Sequence, residues 1–287
     1  IGEPVFWHSV CVAMGPDCRW IGKTALSRYL QSGLRRKHMQ KSRPKLSFTV
    51  SARAKQQETP VMTFLEKNYA YVPLNEIDSI FGFVEACTLY GGRPFEGPQL
   101  SEQDVRVMKA KGIGLRIPLT THYVTEDEYR KYQWLLEKYH RKGNSIITTN
   151  NELAQWIRKD FPKYQLEASV IKNISSYAEI DQELALYDTV VLPMSLNQDP
   201  DFLRGIKQKA RIRLFANAGC ALNCPSKICY PSISRMNKFT GAQFMCSQPL
   251  KKRDLLGMID FDLDVLMDLG FHRFKLLRSR PGGKTGY

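Results

Sequence analysis

Residues 217–230, NAGCALNCPSKICY, hold three of the chain's seven cysteines, Cys220, Cys224 and Cys229, and a fourth, Cys246, follows after sixteen intervening residues. Thiolates are soft ligands that suit zinc or an iron–sulfur cluster, and four of them satisfy either. Structural zinc sites usually use paired CxxC knuckles. Here the intervals are three, four and sixteen residues. That irregularity fits a cluster held by a loop better than a zinc ribbon, and it is not the CxxxCxxC of radical SAM enzymes. Pro225 and Pro231 would stiffen the loop and help to fix the sulfurs. Cys220, Cys224, Cys229 and Cys246 are therefore the candidate metal ligands, with a 4Fe-4S cluster favoured and zinc as the alternative.

The elements that would position these thiols are legible as short apolar runs alternating with helical patterns after residue 45. The candidate strands are LSFTVS (46–51), FVEACTLY (83–90), IGLRIPLT (113–120), SIITT (145–149), QLEASVI (165–171), TVVLPM (189–194), RIRLFAN (211–217) and FKLLR (274–278). They carry the Val, Ile, Leu, Phe and Thr content of buried parallel strands. Between them lie amphipathic helices with start and stop signals. Thr125 and Glu128 form a capping-box pattern before a helix that Gly143 closes. Ser101 and Asp104 open a helix closed by Gly112, and Asn150 or Asn151 caps ELAQWIRKDF. Eight strands with intervening helices predict a TIM-like (β/α)8 barrel over 46–287, with a doubly wound open sheet as the alternative. Residues 1–45 form a basic N-terminal extension.

In such a barrel, chemistry belongs at the C-terminal ends of the strands. The cysteine segment follows the seventh strand directly. Arg213 and Asn217 lie on that strand, and Lys275 and Arg278 on the last one beside it, so these four are candidate substrate-binding residues. Arg278 would reach the mouth and can grip a carboxylate bidentately. Glu85 and Glu167 sit inside the second and fifth candidate strands, where a carboxylate must be paired or functional. They are candidate acid–base catalysts, with structural ion pairing as the other reading.

Charge adds a second theme. Lys and Arg outnumber Asp and Glu by 42 to 28, a formal net charge of +14. Within the first 45 residues nine Lys/Arg face only Glu3 and Asp17. Arg35, Arg36, Lys37, Lys41, Arg43 and Lys45 form a run suited to nucleic-acid phosphates, with a solvated arm as the plain alternative. The odd, uneven cysteine usage does not resemble a secreted disulfide framework. It points to a reducing compartment, cytoplasmic or an organelle matrix. No apolar window is long enough to span a membrane. The chain begins at Ile1 rather than Met, which leaves room for an upstream targeting segment.

Other motifs carry less. Gly22-Lys23-Thr24 resembles a P-loop ending, but Asp17 stands where the phosphate loop requires glycine. Cys11, Cys18 and His8 permit a zinc site in the arm. Neither HExxH nor a legible nucleophile–base pair supports a peptidase; of the five histidines, only His122 falls where a barrel loop would use it. His140 and His272 are expected on a solvated helix face and in a structural role.

The segment NAGCALNCP (217–225) resembles the NxGCxxxCP segment of the U32 peptidase-like superfamily, and GFHRFKLLRSR resembles that family's final strand. LNEIDSIFGFVEACTLYGG (74–92) is similar to its early strand leading into a glycine-rich turn. The resemblance covers roughly residues 46 to 280. It implies a TIM barrel, a 4Fe-4S cluster on four cysteines, and oxygen-independent hydroxylation of ubiquinone precursors or RNA bases; other relatives are regarded as collagenase-like peptidases. Departures exist: the family's final Gly-Arg is Ser279-Arg280 here, and its cysteines are spread more widely. Cys87 could displace Cys229 as a ligand, although a small buried core residue is the simpler reading. The basic surface favours RNA over a quinone precursor as substrate. The alternatives are a non-catalytic RNA-binding or structural subunit working with a partner chain, and a peptidase.

Overall fold

The computed structural model describes residues 45–224, 226–248 and 259–277. Eight parallel strands close on themselves in sequential order, β1 Ser47–Ser51, β2 Ile77–Phe81, β3 Gly114–Leu119, β4 Ser145–Thr148, β5 Gln165–Ala168, β6 Thr189–Val191, β7 Ile212–Phe215 and β8 Arg273–Leu276. The seam is made by β1 against β8, with Ser47 opposite Arg273 and Val50 opposite Leu276. Helices occupy the crossovers: α1 Val61–Asn68, α2 Glu102–Ala110, α3 Glu126–Lys131, α4 Gln133–Lys138, α5 Asn151–Asp160, α6 Tyr177–Leu184, α7 Pro200–Gly205, α8 Cys229–Met236 and α9 Leu263–Asp268. This is the expected (β/α)8 barrel, and no described helix is long and apolar enough to cross a membrane.

Local signals explain most boundaries. Ser101 caps α2 in a reciprocal capping box with Asp104. Gly112 takes φ +73° just past the end of that helix. Asn150 caps α5 by accepting from Leu153 N at 3.0 Å. Thr125 accepts from Glu128 N at 3.2 Å, but the Glu128 side chain turns away to Thr88 and Lys238. The helix it opens breaks at Tyr132 into α3 and α4.

One strand differs from the expectation. FVEACTLY is not β2; the strand is Ile77–Phe81, IDSIF, and FVEACTLY lies in the loop that follows. The physical reason is the barrel interior. Asp78 and Ser79 lower the apolar signal of the true strand, because the part-exposed Asp78 pairs with the buried Arg116 and Arg213 and the buried Ser79 bonds Arg116. FVEACTLY is apolar because it builds a small core of its own. The rings of Phe83 and Tyr90 lie 4.5 Å apart, and Phe95 packs within 5.5 Å of both.

Alternation puts Phe48, Val50, Ile80, Leu115, Ile117, Leu166 and Leu214 outward under the helices, all fully buried. Inside, most such barrels stack bulky branched side chains. This one holds an ion network instead.

Candidate functional site

The network joins five strands. Glu167 on β5 accepts from Arg116 Nη1 on β3 at 2.6 Å and from Arg213 Nε on β7 at 3.0 Å, both through Oε2. Asp78 on β2 receives Arg213 Nη2 at 3.2 Å and Arg116 Nη2 at 3.5 Å. Ser79 Oγ accepts from Arg116 Nε at 2.6 Å and donates to Thr49 Oγ1 at 2.7 Å. Burial alone would neutralise Glu167, but Arg116, Arg213 and Lys275 outweigh it and hold its carboxyl below the usual range. Asp78 is likewise held down by Arg213 and Arg116 against its own desolvation.

Lys275 on β8 sits at the upper edge of this network. Its Nζ lies 3.7 Å from Glu167 Oε1 and 4.6 Å from the centroid of the Phe81 ring. Burial pushes its ammonium down to about 8; Glu167 compensates only part of that cost, and Arg116 and Arg213 add repulsion. Glu167 Oε1 is buried and has no hydrogen-bond partner.

Above Lys275 a cavity of about 150 Å³ opens at the C-terminal ends of the strands. Its floor and walls include Lys275, Phe81, Phe215, Ile147 and Ser51, and its rim includes Arg53, Arg93 and Cys220. Gly91 lets the β2 loop press against the β3 loop here: a Cβ at that position would lie 2.2 Å from the Thr120 carbonyl oxygen.

The described part of the long connection from β7 to β8 packs on the loops at the mouth. Helix α8 lies over the loops after β2 and β3. Asn237 at its end donates to the carbonyls of Tyr90 (3.1 Å) and Arg93 (3.0 Å) and accepts from Phe95 N at 2.8 Å. Ser234 Oγ meets His122 Nδ1 at 3.0 Å. That contact gives His122 its place in a barrel loop, but Ser234 is fully buried and its hydroxyl also faces the Tyr230 carbonyl, so the pair ties lid to loop.

The four candidate thiols belong to this connection, and all are half-buried and outside any disulfide. Burial pushes the Cys229 thiol up to about 11, and the proximity of Cys220, Cys246 and Cys224 adds to the shift. The Cys87 thiol is also pushed up by burial, to about 12, but the charged neighbours acting on it are Glu128 and Lys131. Backbone donors face the sulfurs. Cys224 Sγ accepts from Lys227 N at 3.3 Å and Cys246 Sγ from Gln248 N at 3.4 Å. Lys227 adopts φ +49°, a conformation disfavoured for a residue with a side chain, and that turn presents its N–H to Cys224. Ser232 Oγ donates to Cys229 O at 2.9 Å and accepts from Met245 N at 3.1 Å, so it stitches the last cysteine's neighbour to the third cysteine. Among the described residues, no three His, Cys, Asp or Glu side chains are drawn together tightly enough to hold a single ion.

The other sequence candidates fall as follows. Glu85 does not lie in a strand; it sits in the β2 loop and pairs with Lys138 Nζ at 2.6 Å and Tyr139 Oη at 3.2 Å on the helical layer. Arg213 is committed to the interior network and also donates to Phe274 O at 3.3 Å. Asn217 accepts from Leu277 N at 2.9 Å, pinning the end of β7 to the end of β8. Neither lines the cavity; Lys275 does. His140 Nε2 accepts from Lys163 N at 2.9 Å, with its ring packed 5.3 Å from both Phe161 and Tyr164. Lys45 is exposed at the start of the described chain. Arg35, Arg36, Lys37, Lys41, Arg43 and Arg278 lie outside the described residues, as do His8, Cys11, Cys18 and the Gly22-Lys23-Thr24 motif.

Two members of the network, Asp78 and Arg116, were not singled out from sequence. Arg116 was visible as a lone cation inside the apolar run IGLRIPLT, a pattern that demands a buried counter-charge. Asp78 was hidden by the misplaced second strand.

The sequential strand order defines a (β/α)8 barrel with a cavity at the C-terminal ends of its strands. Among solved structures it is similar to the U32 peptidase Mk0906, with a TM-score of 0.55 and 11% sequence identity over 85% of this chain and 97% of that one. At that identity the likeness establishes a U32-like fold. A glycerophosphodiester phosphodiesterase from Agrobacterium tumefaciens str. C58 aligns at a TM-score of 0.36 and 10% identity, covering 59% of this chain and 86% of that one, which is too low to argue from. No family model matches the sequence. No curated protein sequence matches it either.

Proposed function

We propose that the chain is an iron–sulfur protein of the U32-like type, with Cys220, Cys224, Cys229 and Cys246 as ligands of a 4Fe-4S cluster beside a substrate cavity. The observation that carries this reading is the placement of the thiols. One short lid segment brings them to the barrel mouth, and Cys220 lines the cavity. A single tetrahedral zinc wants its sulfurs about 3.8 Å apart, given Zn–S bonds near 2.3 Å. A cubane places each thiolate on a different iron and tolerates a wider set, and N–H donors to the sulfurs are among the groups that tune such a centre. When bound, the cluster supplies one-electron redox chemistry at the mouth.

The chain's own residues supply the rest. Lys275, Arg53 and Arg93 present cations to the cavity, and Phe81, Phe215 and Ile147 present apolar walls. A space of about 150 Å³ admits one benzene-sized ring. The reaction that best unites these features is the oxygen-independent hydroxylation implied by the U32-like resemblance. The net charge of +14 favours RNA over a quinone precursor as the molecule acted on.

Anaerobic purification followed by iron, sulfide and zinc analysis tests the ligand set. About four irons per chain is the expected result. One zinc and no iron would overturn the reading and favour a structural RNA-binding role. Mass analysis of RNA from cells lacking the protein then tests the substrate: loss of a hydroxylated base is expected, and an unchanged base inventory counts against RNA.

A further inference from the structure

The buried amine of Lys275 goes beyond what a cluster at the mouth requires. Among the described residues that line the cavity it is the only lysine. Its side chain is only 7% exposed, and the residue lines the cavity. The groups that act on it come from four other strands: Phe81 on β2, Arg116 on β3, Glu167 on β5 and Arg213 on β7. One oxygen of Glu167 is consumed by the two arginines, and the other, Oε1, is the one turned to the lysine without any hydrogen bond. A desolvated lysine crowded by other cations is the setting in which an amine becomes nucleophilic. Arg53 and Arg93 stand at the rim above it, with the Arg93 guanidinium 4.4 Å over the Phe83 ring.

We propose that Lys275 Nζ is a covalent binding site for a small carbonyl compound bearing a negative charge, which it holds as an imine on the cavity floor. The ammonium first releases a proton to water in the cavity. The nitrogen lone pair then forms a bond to the carbonyl carbon, and the C=O π pair moves to oxygen, which takes up a proton. A second proton transfer from nitrogen to that oxygen lets water leave as the C=N bond forms. In sum, the ammonium and the carbonyl compound give a protonated imine and one water, with no oxidant or reductant consumed. Glu167 remains ionised throughout, and Oε1 becomes the counter-ion of the iminium nitrogen. Arg53 and Arg93 receive the anionic group of the ligand. The burial that pushes the ammonium down to about 8 leaves far more free amine at Lys275 than at a surface lysine. The inference uses none of the thiols, so it stands or falls separately from the cluster.

The test uses the full wild-type chain, with glyoxylate as probe and cyanoborohydride to reduce any imine, followed by peptide mapping. Near neutral pH, Lys275 is expected to gain a carboxymethyl group at least about tenfold faster than the exposed Lys111 and Lys207, because each unit of lowered pKa gives about tenfold more free amine. Acetaldehyde, which lacks the charge, is expected to label Lys275 more slowly than glyoxylate relative to those same lysines. Labelling that follows surface exposure and leaves Lys275 unmodified overturns the proposal. Equal preference for the two probes overturns the anionic part of it. Lys275→Arg, compared at matched thermal stability, is expected to lose the fast-labelled peptide and keep the slow ones. Because the main readout is taken on the wild-type chain, it does not depend on that variant folding.

Discussion

Arg213 Nε on β7 lies 3.0 Å from Glu167 Oε2 on β5, a contact across the barrel interior between two side chains that are both essentially inaccessible to solvent. Arg116 and Asp78 complete the arrangement, so each charge depends on partners from other strands. Removing one member of a buried pair leaves its partner uncompensated, typically at a cost of about 3–5 kcal/mol. Glu167→Gln leaves two arginines sharing Asp78 and is expected to fall in that range. Urea unfolding checks it, and a midpoint within error of wild type would show that the network contributes little.

The same network sets the pH response. Glu167 and Asp78 titrate lower in the folded chain than in the unfolded one, because the arginines outweigh burial. The folded state therefore binds fewer protons as pH falls. Their contribution is complete above the unfolded values near 4, and it is lost as pH drops through the lower folded values. Stability is expected to decline at acid pH below roughly 4, and Glu167→Gln is expected to flatten that decline. Parallel acid titrations of both proteins, followed by tryptophan fluorescence, compare the two slopes.

Lys275 acts in the alkaline range. Its folded value of about 8 lies below the unfolded value of roughly 10.4. The unfolded chain binds more protons between them, so this group's contribution is fully present above about 10.4 and disappears as pH falls through 8. Lys275→Met is expected to remove that rise. The quantity to measure is the wild-type minus variant difference in unfolding free energy from pH 7 to pH 10. A flat difference would mean that the amine is solvated.

Much of this arrangement is legible from residue types. Ser101, Thr125 and Asn150 announce the helices they cap, and the apolar runs of β1 and β3 to β8 read as strands because both of their faces are buried. Residues 83–90 read as a strand for a misleading reason: Phe83 and Tyr90 are apolar for the sake of a loop cluster, whereas IDSIF gives up apolar character to set the part-exposed Asp78 against Arg116 and Arg213. Hydrophobic patterning reports burial, and it does not say whether a polar residue has found a counter-charge. For the same reason Glu167 could be marked as paired or catalytic without its partners being known. Arg213 and Asn217, expected at the substrate, serve the interior and the β7–β8 seam.

The thiols give a direct metal prediction. If the proposed cluster is present, Cys220→Ser and Cys224→Ser are expected to lose most of its iron after anaerobic preparation, because each removes one of four proposed ligands. Cys87→Ser should retain it, since Cys87 is buried in the β2 loop with Glu128 and Lys131 as its charged neighbours. Iron retained in the first two and lost in the third would require a different ligand set.

Gly91 gives a prediction about the cavity wall. Gly91→Ala drives a methyl group toward the Thr120 carbonyl at 2.2 Å, against backbone that cannot rotate away. Overpacking of this sort destabilises by about 1–3 kcal/mol. The cavity is expected to change shape as well, so glyoxylate labelling of Lys275 should slow while the exposed lysines react as before. Unchanged labelling together with unchanged stability would mean that the two loops part easily.

Ser47 pairs with Arg273, and the two stand 226 positions apart (273 − 47). A ribosome making this chain releases β1 long before its neighbour exists. Until β7 and β8 emerge, Glu167 and Asp78 also lack Arg213 and Lys275, so a half-made barrel carries an edge strand without its ladder and an interior with unbalanced charge. Pairings this distant in sequence form slowly. The interval between the synthesis of β1 and of β8 is therefore the period in which this protein most needs a chaperone, and shortening the chain from its C-terminal end should be far more damaging to solubility than its small share of residues suggests.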